Sequence, residues 1–350
     1  MINDEVQKQN NGDDSVNIQT KGNNNTYYIT KTTAKEELLE LFIENFPKLR
    51  QLAKEVVDDR INQLIEQYLN KISQLDEPIA NRAYKRMSEP DLQYTIWETQ
   101  KNYAKSGDKD KLEQLTSLLI DKSIEEPKTL MDYILDEAIQ KVSMLTQKQM
   151  DVLSYMVYKH CNFLNIKNIS DLYNEFLFPM LKFRNSLNIN PSNLSYMQQL
   201  GVITNFQIKV SGNELISLLK NNCQGLFATG FTKEEFLSSI ENKDLLTSTK
   251  QCLNNTNLLQ LTPITMEEYN HFITQNDITE NDKQRLWSFF NRTMTNEQII
   301  FMCASLNQDI EQIFIEDQFV SNSKLTPLGI LLGIKNLELK YNEKINWDFT

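Results

Sequence analysis

The chain has 350 residues, 40% hydrophobic and 24% charged, with 17 Phe and 13 Tyr, enough apolar surface for one large core or two ordinary ones. Its formal net charge of −11 repels a phosphate backbone, so nucleic-acid binding is disfavoured by the bulk balance and is left only to a local positive patch. No apolar run reaches the roughly 18 residues of a membrane span, and no basic, apolar start reads as a secretory signal, so a globular cytoplasmic protein is expected.

In chain order, the opening MINDEVQKQNNGDDSVNIQTKGNNNTYYIT is rich in Asn, Asp, Gln and Gly and differs in composition from everything after Lys31. Within it SVNIQ and TYYIT are short β-leaning runs flanked by Asn-Gly and Gly-Asn turn formers, a hairpin signal. A lone two-stranded hairpin is marginal in water. Residues 1–31 therefore form either an arm that pairs with another chain or a solvated tail. The candidate oligomerisation residues are Val16, Asn17, Ile18, Gln19, Tyr27, Tyr28 and Ile29.

From Ala34 to Ser73, Leu38, Phe42, Phe46, Leu49, Ala53, Val56, Ile61, Leu64, Tyr68 and Ile72 recur at helical steps, predicting a long amphipathic helix that Pro47 kinks or restarts. After Pro90, DLQYTIWETQKNYAK ends at Gly107, a left-handed cap, and Asp108 can cap KDKLEQLTSLLIDKSI, so a helical hairpin is expected. Thr129 to Val142 and Thr146 to Cys161 read as a further antiparallel pair. A helix carrying Pro179 spans Ser170 to Leu187. These elements make an N-terminal helical domain, 32–187.

The style changes at NPSNLSYMQQLGVITNFQIKV, where a short helix ends at Gly201 and a β-leaning run begins. That passage resembles the helix-to-strand step of a winged-helix module, and KLTPLGILLGI near the end resembles the segment that closes one, although more than a hundred residues separate them. Thr232 with Glu235, Thr265 with Glu268 and Thr295 with Gln298 mark helix starts as capping boxes, and Thr326-Pro327 starts another helix. The expected fold is mainly α: a multi-helix bundle with the N-terminal hairpin arm, a minor β element near 202–210, and a C-terminal, mainly helical domain over 188–350.

Motifs that carry chemistry are sparse in this chain. Cys161, Cys223, Cys252 and Cys303 are far apart in apolar contexts and read as reduced core thiols. His160 and His271 lie at no metal-ligand spacing, and neither a GxxxxGK[ST] nor a GxGxxG loop occurs. Glu338-Leu339-Lys340 has the spacing of a nuclease acid and lysine but reads better as the solvent face of a helix. Asp58-Asp59, Asp108 with Asp110, and Glu125-Glu126 read likewise as caps and solvated faces. No catalytic residue, metal site or cofactor is assigned.

Five stretches together resemble an uncharacterised bacterial family known by locus-tag names: GDDSVNIQTKG, LFIENFPKLRQLAKEVVDDRI, EPDLQYTIWETQKNYAKSGDKDKLEQLTSLLIDKS, LTQKQMDVLSYMVY and KLTPLGILLGIKNLELKYN. The resemblance implies arginine where this chain has Lys105 and Lys122, and so a weaker bidentate pairing with any acid there. The polar opening also looks like segments that precede helical or effector domains in bacterial antiviral, abortive-infection proteins. The expectation is a non-enzymatic assembly and sensing protein of antiphage defence, homo-oligomeric through its arm and recognising a phage or host protein. The alternatives are a nuclease or hydrolase with a dispersed site, and an effector that meets a membrane only after activation.

Overall fold

The computed structural model describes residues 15–17, 28–161, 166–205, 214–276 and 278–342. Two compact units divide the chain, Met1–Glu66 and Gln67–Thr350. The first unit holds strands β1 (Ser15–Asn17) and β2 (Tyr28–Thr30), which pair antiparallel with Val16 opposite Ile29 and Asn17 opposite Tyr28. Directly after β2 comes α1 (Lys31–Ser73), which runs without a break through Pro47. A proline removes a single backbone donor and crowds one preceding carbonyl, and uninterrupted turns on both sides absorb that cost.

In the second unit, α2 (Glu77–Arg86), α3 (Pro90–Ser106), α4 (Lys109–Ile124) and α5 (Leu130–Val142) pack on one another. The anticipated punctuation is present. Gly107 takes φ 63° after α3, and the Asp108 carboxylate accepts from the backbone N–H of Asp110 at 2.8 Å. The end of α1 joins this bundle through Tyr68, whose hydroxyl lies 2.5 Å from Ser123 Oγ.

Helix α6 (Gln147–Cys161) is the central element: Gln149 through Lys159 are all buried, so the helix is enclosed on every side. The expected pairing of α5 with α6 gives way to another partner. The main neighbour of α6 is α15 (Pro327–Tyr341), which also covers α4 and α5. Glycine decides this. A Cβ on Gly333 would lie 2.8 Å from the Leu153 carbonyl oxygen, and one on Gly329 would lie 1.9 Å from that of Val202. LGILLGI is therefore a core helix, held against neighbouring backbone at both of its glycines.

Between these partners an irregular helix, α7 (169–187), contains a π-helical stretch, Leu172–Leu177, just before Pro179. The proline ring crowds the Glu175 carbonyl four residues back. That carbonyl accepts instead from the Tyr158 hydroxyl at 3.0 Å, which binds α7 to α6. Next come α8 (Pro191–Gln199) and β3 (Ile203–Asn205). The two winged-helix-like segments do meet: β3 pairs antiparallel with β6 (Ser323–Leu325), Ile203 opposite Leu325, and α15 follows at once. Residues 206–322 are inserted between the paired strands, so separation in sequence was no obstacle to their meeting.

The insertion has its own core of Phe231, Phe236, Tyr269, Leu286, Phe289 and Phe290. It contains α9 (Glu214–Cys223), α10 (Lys233–Ser239), β4 (Thr249–Cys252), β5 (Asn255–Leu261), α11 (Met266–Gln275), α12 (Glu280–Phe290), α13 (Asn296–Leu306) and α14 (Asp309–Val320). Reciprocal capping boxes form at Thr265/Glu268 and Thr295/Gln298. At Thr232 only half forms, because Glu235 turns to Arg292 at 2.7 Å. The β4–β5 hairpin was not anticipated: its Leu253-Asn254 turn lacks a glycine, and β5 opens with exposed polar residues. The architecture is mainly α, as expected.

Gly329→Ala should destabilise the fold strongly, by about 2 kcal/mol or more, because its Cβ meets rigid backbone. Gly201→Ala, at φ 77° with open space around the new Cβ, should cost about 1 kcal/mol. Urea titration of both variants checks the order.

Candidate functional site

A buried polar constellation lies where α6, α9, α14 and β6 converge. One turn of α6 separates Tyr155 from Lys159, so both project to the same side. Lys159 and Asp317 of α14 are each fully buried and pair at 3.0 Å. The same Asp317 oxygen accepts from the Tyr155 hydroxyl at 2.7 Å, and its other oxygen accepts from the Leu215 backbone N–H at 3.1 Å and from Ser321 Oγ at 2.8 Å. Glu214, at the start of α9, forms a second ion pair with Lys159 and lies 3.9 Å from His160 Nε2.

Beside this cluster opens a cleft of about 240 Å³ lined by Met156, His160, Glu214, Ser323, Lys324, Leu325 and Ile330. Burial, then the Lys159 charge, pull the His160 imidazolium down from its ordinary value, against the attraction of Glu214 and Asp317. Burial and the neighbouring Asp317 carboxylate push the Tyr155 phenol well up, so it remains a donor. Lys159 is enclosed by the two carboxylates of Asp317 and Glu214, and both engage its Nζ. The cleft is smaller than the roughly 300–1,000 Å³ of most ligand sites, and the cluster acts chiefly as a clasp between α6 and the inserted segment.

A second ionic group joins α2 to α5. Lys122, almost fully buried, pairs with Asp132 at 2.6 Å and Asp136 at 2.8 Å, and also donates to the Asp132 carbonyl at 3.1 Å. The lysine found in place of the implied arginine thus has full partners. Arg86 donates to Asp91 at 2.7 Å, to Glu89 at 3.2 Å and to the Lys122 carbonyl at 3.1 Å. Lys105 is exposed.

A third group fastens α15 to α6. Asp151 accepts from Lys340 at 2.8 Å, Gln147 at 2.9 Å, Asn336 at 3.1 Å and Ser186 at 2.9 Å. Burial raises that carboxyl and these four donors outweigh it, leaving it below its ordinary value. The Glu338-Leu339-Lys340 triplet is dispersed by this arrangement: Glu338 pairs with Lys335 at 2.9 Å while Lys340 turns to Asp151.

The remaining sequence candidates are placed as follows. Val16, Asn17, Tyr28 and Ile29 are brought together by the β1–β2 register, and Ile18, Gln19 and Tyr27 lie outside the described residues. Asp58, Asp59 and His271 are exposed, Asp108 is a cap, and Glu125 accepts from the Thr129 hydroxyl at 2.8 Å. Burial pushes the Cys223 and Cys303 thiols up to about 12, which keeps them protonated, and Cys252 is also buried and free. Among the described residues no cluster of His, Cys, Asp and Glu could hold a metal ion, and no helix is long and apolar enough to cross a membrane. Sequence reasoning missed Lys159 and Asp317. Each is a charged residue inside an apolar helical run, YMVYKHC and IFIEDQFV, which was the available signal.

Fold and site define a mainly helical protein whose interior is fastened by three buried charged networks. The chain belongs to an uncharacterised family named by a locus tag with the suffix "-like", whose model matches residues 29–350. No curated protein matches the chain, and no solved structure does.

Lys159→Met should destabilise by about 3–5 kcal/mol, because it leaves the buried Asp317 carboxylate uncompensated. Adding Asp317→Asn should restore part of that loss, and a double-mutant cycle in urea measures the coupling. Lys111, buried on α4, gives a pH-dependent test. Burial pulls its ammonium down to about 8 from the ordinary 10.5, against the attraction of Asp108 and Asp110. A lowered lysine costs stability in full below the folded value, and the cost fades as pH rises to the unfolded one. Lys111→Met should therefore raise Tm at pH 7 by about 2–4 °C, with a smaller gain at pH 10, read by calorimetry at both.

Proposed function

We propose that the protein is a non-enzymatic assembly and sensing protein of bacterial antiphage defence, in which the N-terminal arm joins protomers and the helical body recognises a phage or host protein. The observation that carries this reading is the make-up of the first unit. A three-residue ladder leads directly into a 43-residue helix, and on that helix Leu52 and Val56 are 58% and 47% exposed. A ladder that short is marginal alone, and each of its strands has an edge that a second copy can extend. Apolar side chains exposed on a long helix favour the same occupant, since two copies bury them together.

The defence setting rests on the likeness of the polar opening to segments that precede effector domains in antiviral proteins, an association rather than a geometry. In this reading the second unit is the recognition body, and its buried ionic groups make it stiff. The membrane-acting alternative would require α15 to leave the place between α4, α5 and α6 that its glycines define.

Light scattering on the full chain, on a chain beginning at Lys31, and on a Leu52→Asp/Val56→Asp variant tests the assembly. The expected result is a defined oligomer for the full chain and a folded lower-mass species for the other two. Equal masses for all three would sink the arm reading. Phage challenge of cells expressing the full and shortened chains tests the setting, with protection expected from the full chain alone.

A further inference from the structure

A cleft of about 570 Å³ lies at the open end of the β4–β5 hairpin, and its lining divides by chemistry. Lys167, Lys250 and the Ser248 hydroxyl are donors, Pro263, Ile264 and Phe272 are apolar, and Glu268 brings a carboxylate. Ser248 ends a short 3-10 helix, Lys243–Ser248, and its carbonyl accepts from the Thr262 backbone N–H and from the Thr262 hydroxyl, both at 2.9 Å. That closes the hairpin where β4 begins and β5 ends. Pro263 and Ile264 lead on into α11, where Glu268 and Phe272 stand four residues apart and so project to the same side. Lys167 comes from outside the insertion, just ahead of α7, where its backbone N–H donates to Asp171 at 3.0 Å.

The charges of this cleft are not satisfied inside it. Lys122 and Lys159 in the interior each meet two carboxylates, whereas neither the Lys167 nor the Lys250 ammonium has an ion-pair partner among the described residues. Burial pulls the Lys250 ammonium down from its ordinary value, against the attraction of Glu268. The Glu268 carboxylate is itself half engaged: Oε2 accepts from the Ile264 N–H at 2.7 Å and the Thr265 N–H at 3.4 Å, which leaves Oε1 as an acceptor. Two lysines against one glutamate leave the lining positive by one charge, on a chain whose formal charge is −11.

We propose that this cleft binds a small organic phosphate monoester, its phosphoryl group held by Lys167, Lys250 and the Ser248 hydroxyl and its organic body laid against Pro263, Ile264 and Phe272. A half-buried ammonium without a partner costs free energy that an arriving anion returns through charge-assisted hydrogen bonds. Two such ammonium groups match a phosphate monoester, which carries about −1.5 to −2 at pH 7, better than the single charge of a carboxylate. Inorganic phosphate would leave the apolar wall bare, and a neutral apolar ligand would leave both lysines unpaired. The volume falls within the roughly 300–1,000 Å³ of most small-ligand sites. Glu268 Oε1 adds an acceptor for a hydroxyl or amine on the ligand body, a group that nucleoside phosphates carry and simple aryl phosphates lack. The cleft lies within the second unit, and the proposal stands whether or not the arm assembles protomers.

The test is calorimetric titration of the full chain with phenyl phosphate, adenosine 5′-monophosphate, inorganic phosphate and adenosine. Saturable binding of both organic phosphates is expected, tighter than that of inorganic phosphate or of adenosine. Lys167→Gln/Lys250→Gln should weaken both organic phosphates by about tenfold or more, since a hydrogen bond to a charged group is worth at least that factor. Phe272→Ala should weaken them and leave inorganic phosphate unchanged. A melting curve accompanies each variant, and Phe272→Leu replaces the alanine if that variant does not fold. Glu268→Gln separates the two sources of such a ligand, because the Ile264 N–H claims the amide oxygen and turns a donor toward the cleft. If the nucleotide binds more tightly than phenyl phosphate and this variant removes the margin, the body is a nucleoside; equal affinities assign a plain aromatic or aliphatic body, and either result supports the site. The proposal is overturned if neither organic phosphate binds at millimolar concentration, or if binding is indifferent to both lysines. It is equally overturned if inorganic phosphate or adenosine binds as tightly as the esters.

Discussion

Two glycines one helical turn apart, Gly329 and Gly333, let α15 lie against backbone rather than side chains, and much of the second unit depends on that approach. Close packing at this distance leaves no room for even a methyl group, so it fixes the position and rotation of the helix together. Once α15 is in place, Asn336 and Lys340 reach Asp151, Thr326 reaches the Gly201 carbonyl, and β6 is presented to β3. The C-terminal helix and the centre of the chain are thereby joined.

The charged groups in the interior follow from this geometry. Burying Lys159, Asp317 or Asp151 is expensive unless each finds several partners, and each does. Such groups add little net stability over a well-packed apolar alternative, but they penalise any register that separates them. The clasp of Lys159 with Asp317 and Glu214 therefore specifies how the inserted residues dock on α6, while the apolar contacts of α6 supply most of the burial.

Much of the helical layout was legible because its signals are local. Gly107, Asp108, Thr265, Thr295 and Thr326 each act within a turn of themselves, and each does what its residue type requires. Where local cues compete with distant ones, reading along the chain was less successful. Pro47 suggested a kink or a restart, and α1 does not restart there; Pro179 is absorbed by a π-helical stretch whose released carbonyl is met by Tyr158 of the preceding helix. The β4–β5 hairpin went unseen because its Leu253-Asn254 turn lacks the glycine that usually marks a two-residue loop.

The sequence by itself determined that the chain is mainly helical, where many of its helices begin and end, that its opening differs in kind from its body, and which family it belongs to. These depend on periodicity, capping chemistry and composition, which are written residue by residue. Only the tertiary structure decided that α6 packs on α15 rather than on its neighbour α5, that β3 and β6 meet across the 206–322 insertion, and that Lys159 finds Asp317. Those outcomes depend on which surfaces come within a few ångströms of each other, and a linear sequence does not order its residues by distance in space.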